Sequence, residues 1–141
     1  MIFLLDTNVL SETMKPRPAA AIASWMRAQP VRSLFTAALC QAEILAGIAV
    51  LPTSRRRAEL EAIAQAIFGQ DFEGRVLPFD ADAASAYAEL FAARRQAGRP
   101  IEMPDLIVAA TARAHDAAIV TRDRSGFEGC GLTLIDPWTE V

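Results

Sequence analysis

A chain of 141 residues has the length of one ordinary domain, and 52% hydrophobic with 22% charged residues excludes a disordered or fibrous protein. The formal net charge of −3 excludes a surface coated with positive charge that would bind nucleic acid indiscriminately. The two cysteines, Cys40 and Cys130, and the single His115 lack the number and spacing of zinc ligands. We expect both cysteines to be reduced core residues.

The apolar run at 2–5 predicts a first strand, buried on both faces at the centre of a parallel sheet. Asp6 ends this run, so we expect neither a signal peptide nor a membrane segment and place the protein in the cytoplasm, with no membrane partner. The later elements follow from apolar residues at helical spacing and from short apolar runs between turn residues. In chain order they are helices over 9–14 and 19–29, a strand over 32–36, a helix over 37–51, a helix from a Ser54 cap to 68, a strand over 75–79, a helix from Asp80 or Asp82 to 95, a buried helix over 104–112, and strands over 117–121 and 132–135.

Strands separated by helices predict a single α/β domain over residues 1–141. Helices are expected on both faces of a central, mostly parallel sheet of four or five strands. The position of the functional groups follows from this architecture, because ligands of open parallel sheets bind beyond the carboxyl ends of the strands.

Four acidic residues occupy positions that this fold makes informative. Asp6 and Asp123 each follow the apolar residues of a predicted strand, so they should face one crevice. Asp105 lies in the first turn of the buried helix, and Glu43 interrupts an otherwise apolar helix, where a carboxylate needs a partner. No neighbouring basic residue is an obvious partner for all four. Two unit charges about 4 Å apart repel by about 4 kcal/mol at the effective dielectric of a protein site.

Four carboxylates in one crevice therefore imply bound cations, and a donor set made only of oxygen favours Mg²⁺ or Mn²⁺ over Zn²⁺. Three of the acids have an ordinary explanation when taken alone, whereas Asp6, in the strand-end sequence Asp-Thr-Asn, is the hardest to explain in that way. Asp123 suits a turn, Asp105 suits a helix start, and Glu43 suits an exposed helix face. The joint occurrence of the four residues carries the argument, and whether they hold one metal ion or two is left open.

The same residues resemble the PIN domain family. The resemblance rests on the sequence Asp-Thr-Asn-Val-Leu-Ser-Glu at 6–12, Glu43 in an early helix, Pro104-Asp105 at the start of an Ala-rich helix, and Val-Thr-Arg-Asp at 120–123. It extends over essentially the whole chain, from Ile2 to about Trp138. Within the family the chain is similar to VapC-type toxins of bacterial toxin-antitoxin modules, particularly the FitB-like subgroup.

This resemblance implies a Mg²⁺- or Mn²⁺-dependent ribonuclease that is silenced by a cognate antitoxin and forms a homodimer. Asp6, Glu43, Asp105 and Asp123 match the acidic metal-binding and catalytic residues of the family. Thr7, Asn8 and Thr121 match polar supporting positions, which by their chemistry can orient the carboxylates. Two alternatives stay open: a catalytically weak binding or regulatory module that acts with a DNA-binding partner, and a nuclease that also cuts DNA.

An acidic centre that cuts RNA needs positive charge around it to receive the phosphates. Arg122 and Arg124 flank Asp123 and are the first candidates, and Arg94, Arg95 and Arg99 precede the Asp105 helix and can line the rim of a groove. Trp25 and Trp138 are expected in core packing or dimer contacts rather than in base stacking. His115 is expected at the surface or at a helix end, because no nucleophile lies beside it.

Overall fold

The computed structural model describes residues 1–139; Glu140 and Val141, the last two residues of the expected domain, lie outside the described residues. Residues 1–139 form five strands: β1 Ile2–Leu5, β2 Leu34–Ala37, β3 Val76–Leu77, β4 Ala117–Val120 and β5 Leu134–Ile135. The same residues form six α-helices: α1 Thr7–Thr13, α2 Ala20–Arg27, α3 Ala38–Ala49, α4 Arg55–Ala66, α5 Ala81–Gln96 and α6 Met103–Ala114. Short 3₁₀ turns occur at Val31–Ser33 and Arg124–Gly126, and a π-helical turn at Ile67–Asp71 extends α4.

The strands make one sheet in the order β3-β2-β1-β4-β5, and every pairing in residues 1–139 is parallel. β1 lies at the centre, as its all-apolar sequence predicts, with Leu4 and Leu5 fully buried. Leu5 pairs with Thr36 on one side and with Val120 on the other. The α/β fold with a parallel sheet of four or five strands is therefore confirmed.

The carboxyl ends of β1 and β4 are joined at the point where both strands stop. The backbone N–H of Asp6 donates to the carbonyl of Val120 at 2.9 Å. The residues that follow the two strands are therefore neighbours across the sheet edge, although more than a hundred positions separate them in sequence. This edge brings the residues after each strand into one crevice, as is usual for open parallel sheets.

The helix α6 is the buried helix that its apolar sequence predicts. Pro104 stands in its first turn, where a missing N–H costs nothing, and Leu106 and Val108 to Ala112 are buried. α6 packs closely against α5 and against β4. Because its axis is fixed along its whole length, its first turn holds Asp105 in a fixed position.

Several element boundaries differ from the prediction for local reasons. α1 begins at Thr7 rather than at residue 9, because the Asp6 carboxylate caps it by accepting from the Thr7 N–H. Ser54 caps α4 and Asp80 caps α5, as predicted. β3 and β5 have only two paired residues each, since edge strands pair with one neighbour. Among the described residues, no helix has both the length and the apolar character needed to cross a membrane.

Candidate functional site

Asp6 is the most constrained carboxylate at the crevice. Its side chain is 8% exposed, and its Oδ1 accepts from the Thr7 N–H at 2.9 Å and from the Cys40 thiol at 3.8 Å. Its Oδ2 accepts from the Thr121 hydroxyl at 2.9 Å. Burial raises the pKa of Asp6 above its usual value, and the hydrogen bonds from Thr7 and Thr121 oppose that shift. The surrounding donors thus hold a buried carboxylate in one orientation.

Thr121 connects Asp6 to the loop after β4. Its hydroxyl donates to Asp6 and accepts from Asn8 Nδ2 and from the Asp123 N–H, both at 3.1 Å. Asn8 Oδ1 in turn accepts the Arg122 N–H at 3.1 Å. One fully buried hydroxyl therefore fixes the position of Asp6 relative to Asp123.

Glu43 lies on α3 and is exposed, the position that the sequence left open beside a buried one. The Thr7 hydroxyl donates to Glu43 Oε1 at 2.6 Å. Cys40, Ile44 and Ile48 form the buried side of α3, and Glu43 lies at the border of that side, about 100° around the helix axis from Ile44. Thr7 thereby contacts two of the four acids, through its backbone N–H and through its hydroxyl.

Asp105 and Asp123 face each other across Gly126. A Cβ atom at Gly126 would lie 3.0 Å from Oδ2 of both carboxylates, so these two oxygens are at most twice that distance apart. Asp123 is exposed, and its Oδ1 accepts from Ser125 Oγ at 2.9 Å and from the Gly126 N–H at 3.3 Å.

Burial raises the pKa of Asp105 to about 6, and the negative charges of Asp6, Asp123 and Glu43 add to the shift. Each of the three other acids thus repels the Asp105 carboxylate. The four predicted residues therefore share one site, at the carboxyl edge of the sheet.

The chemistry of this site fits a divalent cation. No ion pair in residues 1–139 involves any of the four acids, so their charges are not balanced by a neighbouring base. Within the same residues, no three Asp, Glu, His or Cys side chains are grouped closely enough to hold a metal ion as they stand. The donors are carboxylate oxygens, which suit Mg²⁺ or Mn²⁺.

The arginines predicted at the rim occupy different environments. Arg122, Arg124, Arg95 and Arg99 are exposed. Arg94 is only 7% exposed, and its Nε is buried without a hydrogen-bond partner among the described residues. The prediction that Arg94 lines a groove rim with its side chain is therefore corrected. Its position on α5 turns the guanidinium against Gly129 rather than toward solvent.

The remaining expectations concern aromatic residues, cysteines and the histidine. Trp25 packs edge-on against Phe3 at 5.2 Å between ring centroids, and Trp138 packs on the core. Cys40 and Cys130 are buried free thiols. His115 follows the last residue of α6, with Nε2 3.7 Å from Asp80 Oδ2. Each of these placements agrees with the sequence prediction.

Sequence reasoning missed two residues that contact the acids. Cys40 donates its thiol hydrogen to Asp6, and burial raises the pKa of this thiol to about 12, so it stays protonated and able to donate. Ser125 donates to Asp123. Ser125 has a local signal, because a serine two residues after an aspartate at a strand end can form such a turn. Cys40 has none, since its contact with Asp6 exists only in the folded chain.

The fold and the site define a class of protein: a parallel α/β domain with four uncompensated carboxylates at the carboxyl edge of its sheet. A family model described as "PIN domain" matches residues 3–128, and the chain belongs to this family. It is 40% identical over 137 residues to VapC ribonuclease Y4jK of Sinorhizobium fredii, with 97% of this chain and 98% of the relative covered.

The chain is also 33% identical over 138 residues to toxin FitB of Neisseria gonorrhoeae, with 97% and 99% covered. Its fold is similar to a chain in the structure of FitAB bound to the IR36 DNA fragment. That match has a TM-score of 0.92, 30% identity, and coverage of 99% of this chain and 98% of the other.

Proposed function

We propose that this protein is a metal-dependent endoribonuclease and acts as the toxin of a type II toxin-antitoxin pair. The observation that carries the proposal is the convergence of Asp6, Glu43, Asp105 and Asp123 at one edge without a compensating base. The family and the similarity to a VapC ribonuclease and to FitB support the same conclusion.

In this proposal the four carboxylates hold Mg²⁺ or Mn²⁺. When bound, the ion supplies Lewis-acid chemistry that favours hydrolysis of a phosphodiester. The chain's own residues supply orientation. Thr121 and the Thr7 N–H fix Asp6, the Thr7 hydroxyl fixes Glu43, and Ser125 with the Gly126 N–H fixes Asp123. Such outer contacts set the direction of each ligand oxygen.

The exposed arginines near this edge supply positive charge for the RNA backbone in this proposal. Arg122 and Arg124 flank Asp123, and Arg95 and Arg99 lie near the start of α6. Metal bound at the four acids cancels part of the negative charge, so the surface met by RNA is more positive than the net charge of −3 indicates. The electrostatics then favour a metal-centred enzyme over indiscriminate binding.

The partners in the proposal are an antitoxin and a second copy of the chain. A largely apolar groove of about 340 Å³ runs beside the site between α1, α3 and α4, and Thr7 and Glu43 form part of its wall. A peptide in this groove would reach the acids directly, which is the basis for placing an antitoxin segment there. Light scattering of the isolated chain and of its complex tests the dimer.

The deciding experiment measures RNA cleavage by the wild type, Asp6→Asn and Asp105→Asn, each with Mg²⁺, with Mn²⁺ and with EDTA. We expect the wild type to lose activity in EDTA and both variants to lose at least about a hundredfold, as is typical when a group that stabilises transition-state charge is removed. Asp116→Asn is the matched control, because Asp116 is exposed at the opposite edge and its φ of 53° suits asparagine.

Wild-type rates in either site variant contradict the assignment. If the wild type binds antitoxin but does not cut RNA under any metal condition, the regulatory-module alternative replaces the enzyme. A parallel assay on single-stranded and duplex DNA decides whether the activity is confined to RNA.

A further inference from the structure

Of the two exposed arginines that flank Asp123, Arg122 is the more firmly held. Its backbone N–H is bound by Asn8 Oδ1 at 3.1 Å. Its guanidinium carbon lies 4.7 Å from the ring centroid of Trp138, the distance of a good cation–π contact. Arg124, by comparison, makes no cation–π contact among the described residues.

Trp138 is itself held in place by other contacts, so the geometry of the Arg122–Trp138 pair is set by the fold. Its backbone N–H donates to Oδ1 of the buried Asp136 at 2.9 Å, directly after β5, and its indole packs against the core. Arg122 follows β4, and Asn8 lies on α1. Three separate segments of the chain thus converge on one arginine.

Glu12 is negatively charged and lies near Arg122, but within residues 1–139 its carboxylate forms its ion pair with Lys15 and not with the Arg122 guanidinium. It accepts from Lys15 Nζ at 3.0 Å and from the Ala19 N–H at 3.0 Å. The Lys15 hydrogen bond is the main reason that the pKa of Glu12 is lowered, and the Arg122 charge adds a smaller part. Within residues 1–139 the Arg122 side chain makes no hydrogen bond or ion pair. Its N–H donors are therefore held in place but unused.

Arg122 is connected to the acidic centre by a short chain of hydrogen bonds. Asn8 binds the Arg122 backbone and donates to Thr121, which donates to Asp6. The next residue along the chain is Asp123 itself. The Arg122 side chain therefore starts from the same edge of the sheet as the four acids, one residue before Asp123.

We propose that Arg122 is a preorganised binding site for the RNA phosphate adjacent to the one that is cut, and that Trp138 is its positioning residue. This proposal rests on the proposed function. A planar guanidinium donates to phosphate through two parallel N–H groups, and stacking on an indole removes rotamers that would otherwise be lost on binding. The contact recognises the backbone, so it adds affinity without selecting a base.

The test measures binding of a fluorescein-labelled, mixed-sequence single-stranded RNA by anisotropy, in an Asp6→Asn background that prevents cleavage. We expect Arg122→Ala to weaken binding about tenfold, the value of one charge-assisted contact. The slope of log K against log salt should fall by about 0.7, as for one lost phosphate contact on a single strand. Arg32→Ala is the matched control, because Arg32 is exposed just before β2 at the opposite edge of the sheet.

Trp138 is tested through its dependence on Arg122. Trp138→Leu should weaken RNA binding when Arg122 is present and have no further effect when it is combined with Arg122→Ala, since the indole acts through the guanidinium. Trp138→Phe keeps an aromatic face and should retain most of the affinity. Circular dichroism shows whether Trp138→Leu is folded. If it is not, Trp138→Phe takes its place in the test.

Three results would overturn the proposal: unchanged binding in Arg122→Ala, an equal loss in Arg32→Ala, or additive effects of Arg122→Ala and Trp138→Leu. Failure of the proposed function looks different. If the proposed function fails, the chain with Asp6 intact cuts no RNA at all. If only the Arg122 proposal fails, that chain cuts RNA, and the Arg122→Ala variant binds and cuts RNA equally well.

Discussion

Thr121→Val tests whether one buried hydroxyl organises the site. Valine has nearly the same shape, so the change removes hydrogen bonds with little change in packing. The hydroxyl is fully buried, donates to Asp6 Oδ2 and accepts from Asn8 Nδ2 and the Asp123 N–H. Its removal leaves a buried carboxylate oxygen and two N–H donors to find other partners.

The expected cost follows from those three contacts. A hydrogen bond to a charged group contributes about 1.5–3 kcal/mol and a neutral one about 1 kcal/mol, and the Asn8 and Asp123 donors can recover part of the loss through water. We therefore expect a net loss of about 2–3 kcal/mol in the free energy of unfolding, or a fall in Tm of about 8 °C for a domain of this size.

Thr111→Val is the matched control for this change. Thr111 is also buried, but its hydroxyl donates only to the Ile107 carbonyl of its own helix, at 2.8 Å. We expect the control to lose less than about 1 kcal/mol, since that carbonyl keeps its helical partner. Urea denaturation of both variants, with EDTA present, measures the difference.

The same substitution has a second readout in metal binding. The Thr121 hydrogen bond lowers the pKa of Asp6, against the larger effect of burial. Without it the pKa rises further, so Mg²⁺ binding should weaken and its acid limit should move to higher pH. If Thr121→Val costs no more than Thr111→Val and binds Mg²⁺ with the same pH profile, Thr121 does not have the central role assigned to it.

Two further predictions concern charge and backbone at the same edge. The pKa of Asp105 is raised from 3.8 to about 6 in the folded chain, so its charge lowers stability as pH rises through that interval. Asp105→Asn should therefore raise the Tm of the metal-free protein above pH 6 and not below pH 3.8, and saturating Mg²⁺ should remove the advantage. An equal gain at every pH would contradict this electrostatic account. Gly129→Ala should destabilise the fold more than Gly131→Ala. Both have positive φ, 85° and 72°, but only the Cβ at 129 would collide with Arg94 Nη1. Urea denaturation should separate the two by about 1 kcal/mol or more, and equal losses would show that Arg94 gives way without cost.

Arg94 shows how the same residue type has different roles only a few positions apart. Arg95 and Arg99 are exposed, whereas Arg94 is buried against Gly129, in the loop that follows Asp123 and Gly126. The reason lies in the helix period, since adjacent residues on α5 point about 100° apart. Adjacent arginines could not be assigned to core and surface from composition alone.

The sequence by itself determined the order of elements and the edge at which the acids lie. All-apolar β1 predicts a central strand, and the position of Asp6 directly after it predicts a residue at the carboxyl edge. Pro104 and the apolar run that follows predict the buried helix that holds Asp105. These are local patterns, and they are read without knowing which strands pair.

Only the tertiary structure decided which side chains orient the acids. The contacts of Asp6 with Cys40 and Thr121 join residues that are distant in sequence, and the Arg122–Trp138 contact joins the segment after β4 to the segment after β5. Exposure of Glu43 and burial of Arg94 likewise depend on how α3 and α5 pack. Periodicity predicts a local element, but a hydrogen bond between distant residues depends on the register and packing of the whole sheet.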